Sequence, residues 1–170
     1  MKRFICCILM IVMILSITAC DLGNTVGKVI NNLGDATQKS ETFSLNETAV
    51  FRKLKFTATE IEESYGDLFI EPSAGKVFVG IKFTIENISN EDQTISSLSH
   101  FEAYVDGVKC SESFKGAVAF NGEQLDGTIA PGKKLIGWYP MEVPENWSTI
   151  ELDVQSSITS ISSAKFVFSH

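Results

Sequence analysis

Lys76-Val77-Phe78-Val79-Gly80-Ile81-Lys82-Phe83-Thr84-Ile85-Glu86 places Val77, Val79, Ile81, Phe83 and Ile85 on one side of an extended chain. Lys76, Lys82, Thr84 and Glu86 fall on the other. Successive side chains of a strand point to opposite faces, so this stretch predicts a long strand with one face on a core and one toward solvent, as in antiparallel sheets. Gly80 falls on the polar side and is expected to tolerate Ala. The same alternation recurs in Leu54–Ala58, Phe101–Val105, Ile150–Val154 and Ala164–Phe168. Between these runs lie Pro72-Ser73-Ala74-Gly75, Asn87 to Asp92, Asp106-Gly107, Asp126-Gly127, Pro131-Gly132 and Pro144-Glu145-Asn146, all turn-forming combinations. Asp106-Gly107 between two alternating runs predicts a tight hairpin. After residue 48 no long stretch of helix formers at helical spacing occurs. Short strands punctuated in this way predict an all-β sandwich of seven to nine strands over residues 46–170.

The chain of 170 residues is 44% apolar and 21% charged, which is ordinary globular composition and excludes a disordered or collagenous chain. Its net charge is −7, and falls to −9 once Lys2 and Arg3 are discounted as part of a removed segment. A surface that acidic repels nucleic acid and anionic headgroups, so no nucleic-acid partner is expected.

Lys2 and Arg3 precede an apolar run from Phe4 to Ile17 and the small residues Thr18 and Ala19, the layout of a secretory signal over residues 1–19. The run is shorter than the ~20 residues a spanning helix needs. Ile17-Thr18-Ala19-Cys20 resembles a bacterial lipobox, which implies cleavage before Cys20 and acylation of its thiol. Acyl chains contribute about 0.8 kcal/mol per buried CH₂, so two or three hold a soluble domain on a bilayer and give a membrane-anchored extracytoplasmic protein. Residues 20–45 are rich in Gly, Asn, Thr and Ser and are expected to be a flexible tether, with Val26, Val29, Ile30 and Leu33 as one helical turn at most. Cys6 and Cys7 leave with the signal, so Cys110 has no disulfide partner and is expected to be buried.

Three elements together carry a family resemblance: the Asn-ended strand Phe83-Thr84-Ile85-Glu86-Asn87, the Asp-Gly hairpin of Phe101 to Val108, and Ala130-Pro131-Gly132-Lys133-Lys134-Leu135-Ile136-Gly137-Trp138 with its Val143-Pro144 end. Over roughly residues 46 to 156 the chain resembles the DUF4352 family, small immunoglobulin-like domains of bacterial lipoproteins. The resemblance implies an immunoglobulin-like sandwich and transfers no catalytic residue. The family carries a phenylalanine-like residue where Tyr139-Pro140-Met141 stands here. Pro140 cannot donate to a ladder, so its strand is expected at an edge or at a bulge.

Candidates for chemistry are sparse. His100 and His170 are the two imidazoles, with His170 at the C-terminus and expected to fray. A hydrolase would need His100 clustered with a Ser and a carboxylate. No zinc or EF-hand spacing is present, and the acidic runs Glu60-Glu62-Glu63-Asp67 and Asn90-Glu91-Asp92 read as solvated turns. Neither a metal nor a cofactor is expected. The connection from Cys110 to Leu125 is long and apolar through Phe114, Ala117, Val118 and Phe120, so it is either a flap over one end of the sandwich or a contact surface of Phe114, Val118 and Phe120. Trp138 shares its face with Ile136 and is expected to fill the core. These features predict a non-catalytic binding or envelope-assembly module, with a protein partner at the envelope. The rival is a small-ligand carrier of a transport system.

Overall fold

The computed structural model describes residues 28–29, 41–157 and 162–170. The expected signal segment 1–19, the lipidation site Cys20 and most of the tether lie outside the described residues. Twelve strands are present among the described residues: β1 (Lys28–Val29), β2 (Glu41–Phe43), β3 (Thr48–Val50), β4 (Leu54–Ser64), β5 (Lys76–Asn87), β6 (Gln93–Ile95), β7 (Phe101–Val105), β8 (Val108–Cys110), β9 (Gly127–Ile129), β10 (Lys134–Pro144), β11 (Thr149–Gln155) and β12 (Ser163–Ser169). Two short helices, α1 (Ser97–His100) and α2 (Phe114–Ala119), interrupt them. The count exceeds the expected seven to nine because half of the strands are only two or three residues long.

Two five-stranded sheets, ordered β1-β3-β4-β5-β10 and β2-β12-β11-β7-β8, face each other across the core. Pairing is antiparallel except at two outer positions, where β1 runs parallel to β3 and β2 parallel to β12. Those two strands correct the tether expectation. Glu41–Phe43 is stitched to β12, and Phe43 is fully buried in the core. Lys28–Val29 pairs with Ala49–Val50 as extended chain rather than as a helical turn.

Val77, Val79, Ile81, Phe83 and Ile85 of β5 are all fully buried on the core face. The neighbouring strand β4 keeps the same parity through Leu54, Phe56 and Ala58, then a bulge between Ala58 and Glu60 shifts it by one residue. Beyond the bulge Ile61 packs against the core. A chain of rings knits the sheets: Phe43 to Phe166 at 5.3 Å, Phe166 to Phe83 at 5.2 Å, Phe83 to Phe101 at 5.2 Å and Phe101 to Tyr139 at 5.4 Å. Such pairs add about 0.5–1.5 kcal/mol each beyond area burial.

The Asn that ends β5 is the junction between the strand and the Pro131-Gly132 turn. Its side-chain nitrogen donates to the carbonyls of Glu91 (2.7 Å) and Ile129 (2.8 Å), and its side-chain oxygen accepts from the backbone and hydroxyl of Ser89. Its backbone N–H donates to Lys133 and its carbonyl accepts from Gly132, each at 3.0 Å. Asn87 is fully buried with its side-chain hydrogen-bonding capacity used, which is what keeps a polar residue in that place. The predicted Asp106-Gly107 hairpin joins β7 to β8, with φ of 49° and 78° at its two central residues. Asp106 also accepts hydrogen bonds from the backbones of Ser148 and Thr149, tying the turn to β11.

The outer face of β5 departs from the simple pattern. Phe78 and Gly80, expected to face solvent, are buried because the Cys110–Leu125 connection folds across β5 and β10 rather than over an end of the sandwich. A Cβ on Gly80 would lie 2.9 Å from three atoms of the Phe120 ring. The expectation that Gly80 tolerates Ala is therefore reversed. Gly80→Ala is expected to cost about 1–3 kcal/mol through overpacking, read as a lowered urea midpoint with unchanged m-value.

Trp138 is likewise corrected. It is buried, but with Phe78 and Phe120 on the outer face, while Tyr139, Met141 and Val143 face the sandwich core. The tryptophan that packs against the core is Trp147, whose Nε1 donates to Glu63 at 2.6 Å. His170, expected to fray, stacks on Trp147 at 4.7 Å and its backbone N–H donates to Ser148.

Candidate functional site

Helix α2 is short, so its position rests on local caps and on what its inner side touches. The Ser113 hydroxyl accepts from Gly116 N–H at 3.0 Å, a standard N-cap, and Gly122 N–H returns to the Ala117 carbonyl at 2.9 Å. Asn121 and Gly122 take positive φ, 60° and 68°, to make that return. The inner side carries Gly116, close against Phe78, and Ala117. Phe120 follows directly, 3% exposed, stacked on Trp138 at 5.0 Å. Lys82 closes the other side of Trp138, its Nζ 5.1 Å from the ring centre and held by Glu60 at 3.3 Å.

The outer side of the helix presents Phe114, 64% exposed, and Val118, 59% exposed, four residues apart and so on one face. Of the expected contact surface Phe114, Val118 and Phe120, the structure keeps the first two outside. Phe120 is removed from it, because its ring fills the space above Gly80. The covering layer and the exposed apolar pair are therefore two sides of one helix.

A second apolar projection borders the same cluster. Ile70 packs against Phe78, Phe120 and Trp138, while Leu68 and Phe69 stand out at 91% exposure each. The turn is held by Asp67, whose carboxylate accepts from Phe69 N–H (2.9 Å) and Ile70 N–H (3.1 Å). Sequence reasoning placed Asp67 in a solvated acidic run and passed over Leu68-Phe69-Ile70. The available signal was three consecutive large apolar residues after a turn-forming Asp.

On the other flank, where the edges of β8 and β10 leave the sandwich open, lies a cavity of about 290 Å³. α1 and β7 supply His100, Phe101, Glu102 and Ala103, β8 supplies Lys109 and Cys110, and Glu112, Tyr139 and Asp153 add further polar groups. His100 is buried, and among the described residues its ring bonds to the backbone of Ser96, Nδ1 lying 3.0 Å from that carbonyl, with no Ser hydroxyl or carboxylate bonded to it. A buried serine does meet two carboxylates nearby. The Ser97 hydroxyl lies 2.6 Å from Glu112 Oε2 and 3.0 Å from Asp126 Oδ2, with no histidine bonded to it among the described residues. Burial raises the Glu112 carboxyl above its ordinary range.

Cys110 is half-buried rather than buried as expected, and desolvation pushes its thiol up, away from the reactive thiolate. Glu102 moves the other way: its hydrogen bond from Lys109, then that from Tyr104, holds its carboxyl below the usual value. Among the described residues no three His, Cys, Asp or Glu side chains are grouped to hold a metal ion.

Comparison with known proteins adds the following. A family model described as a domain of unknown function, DUF4352, matches residues 43–165. No curated protein matches the chain. Among solved structures, an uncharacterized β-sandwich protein from Clostridium difficile is similar at 19% identity and a TM-score of 0.52, over 81% of this chain and 99% of its own. A candidate lipoprotein, ycdA, from Bacillus subtilis is similar at 14% identity and a TM-score of 0.55, over 77% of this chain, which spans only 39% of that protein. A secreted protein of Mycobacterium tuberculosis, MPT63, is similar at 13% identity and a TM-score of 0.51, over 79% of this chain and all of its own. At these identities the likeness is one of fold.

Proposed function

The chain belongs to the DUF4352 family, and from that membership we propose that it is a lipid-anchored extracytoplasmic module that binds a protein partner at the cell envelope without catalysis. The observation that carries the binding role is the outward pair Phe114 and Val118 on a helix whose inner side is locked by Phe120 over Gly80. Apolar side chains fixed on a rigid platform lose little entropy on association, which favours contact over solvent exposure. The lipobox at Cys20 supports the anchor, and the lipoprotein and secreted protein among its structural neighbours are in keeping with a place outside the cytoplasm. The filled interior, with the β5 core face fully buried, argues against a carrier that holds its cargo between the sheets.

Two variants test the parts separately in intact cells. Cys20→Ser is expected to abolish incorporation of a palmitate analogue and to release the protein from the membrane fraction; a wild type that stays unlabelled removes the anchor. Phe114→Ser with Val118→Ser is expected to leave the unfolding free energy from urea titration within about 1 kcal/mol of wild type, since both side chains are already largely wet. A photo-crosslinker at residue 115 should capture one discrete species in wild type and lose it in the double variant. Unchanged crosslinking would remove the binding role from this helix.

A further inference from the structure

We propose that the cavity between the edges of β8 and β10 is a binding site for a small organic ammonium ligand, with Tyr139 and Glu112 as its polar contacts. The inference is independent of the α2 surface and of the anchor. It starts from Tyr139, which is 3% exposed, lines the cavity, and has no hydrogen-bond partner for its hydroxyl among the described residues. Its ring stacks on Phe101 within the core, while its hydroxyl oxygen stays open to the cavity. A tyrosine with its body buried and its tip open offers a directed hydrogen-bonding group to whatever enters the cavity.

The charges around it define which group. Glu102, Glu112 and Asp153 line the cavity against Lys109, and Lys109 is already paired with Glu102. Lys165 lies 3.7 Å from Asp153 but also pairs with Glu151. Glu112 has the shared Ser97 hydroxyl and no cation among the described residues. A single hydroxyl proton cannot serve Glu112 and Asp126 together, and the Ser97 backbone N–H goes to Asp126 at 3.1 Å, so Glu112 is the carboxylate left short of donors. Desolvation raises both the Glu112 and the Asp153 carboxyls, opposed by the Ser97 hydrogen bond at Glu112 and by Lys165 at Asp153. An anion would be repelled here. A metal ion would need three grouped ligands, which the described residues do not offer. An alkylammonium supplies three N–H donors and one positive charge, which suit the Glu112 carboxylate and the Tyr139 oxygen.

The remaining walls suit the carbon skeleton. Leu98, Phe101, Ala103 and Cys110 give an apolar side, with the Cys110 thiol kept neutral by desolvation. At about 30 Å³ per water, the cavity of 290 Å³ holds a chain of a few carbons rather than a drug-sized molecule.

The test uses protein expressed from the full-length gene and purified in nonionic detergent, titrated calorimetrically with n-butylamine, 1,4-diaminobutane and, as the isosteric anion, sodium butyrate. Saturable binding of the amines without binding of butyrate is expected. Tyr139→Phe should weaken the amines about fivefold to tenfold, the worth of one hydrogen bond, without lowering the thermal midpoint, and Glu112→Gln should weaken them more than tenfold. Absence of saturable heat up to about 10 mM amine, equal binding of butyrate, or amine binding unchanged in both variants would each overturn the proposal. So would a fall in the thermal midpoint of Tyr139→Phe, which would show that the hydroxyl already has a partner in the free protein.

Discussion

Ile81→Asp is expected to remove about 4–5 kcal/mol of stability, enough to bring a domain at the lower end of ordinary stability to the edge of unfolding at room temperature. Ile81 is fully buried at the middle of β5, paired with Tyr139 on one side and Ile61 on the other. No cation faces that part of the core among the described residues, so the new carboxylate would fold only by taking up a proton. Urea denaturation followed by tryptophan fluorescence checks this, because Trp138 and Trp147 lie in the two separate apolar clusters. A midpoint equal to that of wild type would mean that the core lies on the opposite face of β5.

Phe120→Ala should follow at about 3–5 kcal/mol, the usual cost of a large aromatic removed from a packed site. The ring is gripped between Gly80 and Trp138, and α2 has nothing else of comparable size on its inner side. Phe114→Ala, six residues earlier on the wet side of the same helix, should change stability by less than about 0.5 kcal/mol. Equal losses for the two variants would show that the helix is buried on both sides, and so contradict the exposed pair on which the contact surface depends.

The residues that declared the sandwich were those with an unbroken alternation. Val77 to Ile85 could point only one way, because charged side chains occupy the far side over its second half. The strand β10 was harder, since from Gly137 to Met141 both faces are apolar or small, and nothing in that run says which side meets the core. Trp138 was assigned to the wrong side for this reason: the covering layer that buries it comes from a helix of six residues, too short to show a period. The tether boundary failed at Glu41-Thr42-Phe43, where a single apolar residue gives no pattern and only its docking beside β12 makes a strand. Pro140 was legible, because a missing donor restricts a residue to an edge wherever it occurs, and β10 is that edge. The edge cavity was not, because Glu102, Glu112, Tyr139 and Asp153 are brought together from four separate segments, and their sequence spacing carries no trace of it.

Strand β10 holds Leu135-Ile136-Gly137-Trp138-Tyr139-Pro140-Met141 without a charge, at the border of a five-stranded sheet. An exposed apolar border of that length is a template on which a second chain can add a strand, the first step toward amyloid-like stacking. Here the connection that carries α2 also closes the border: Ser113 N–H donates to the Pro140 carbonyl at 2.8 Å, Trp138 N–H donates to Glu123 at 2.8 Å, and Gln124 presses so close to Gly137 that a Cβ there would sit 2.6 Å from its carbonyl oxygen. Loosening this strap uncovers a sticky template as well as a helix. Variants that detach α2 should therefore form thioflavin-positive fibrils under conditions in which the intact protein stays dispersed.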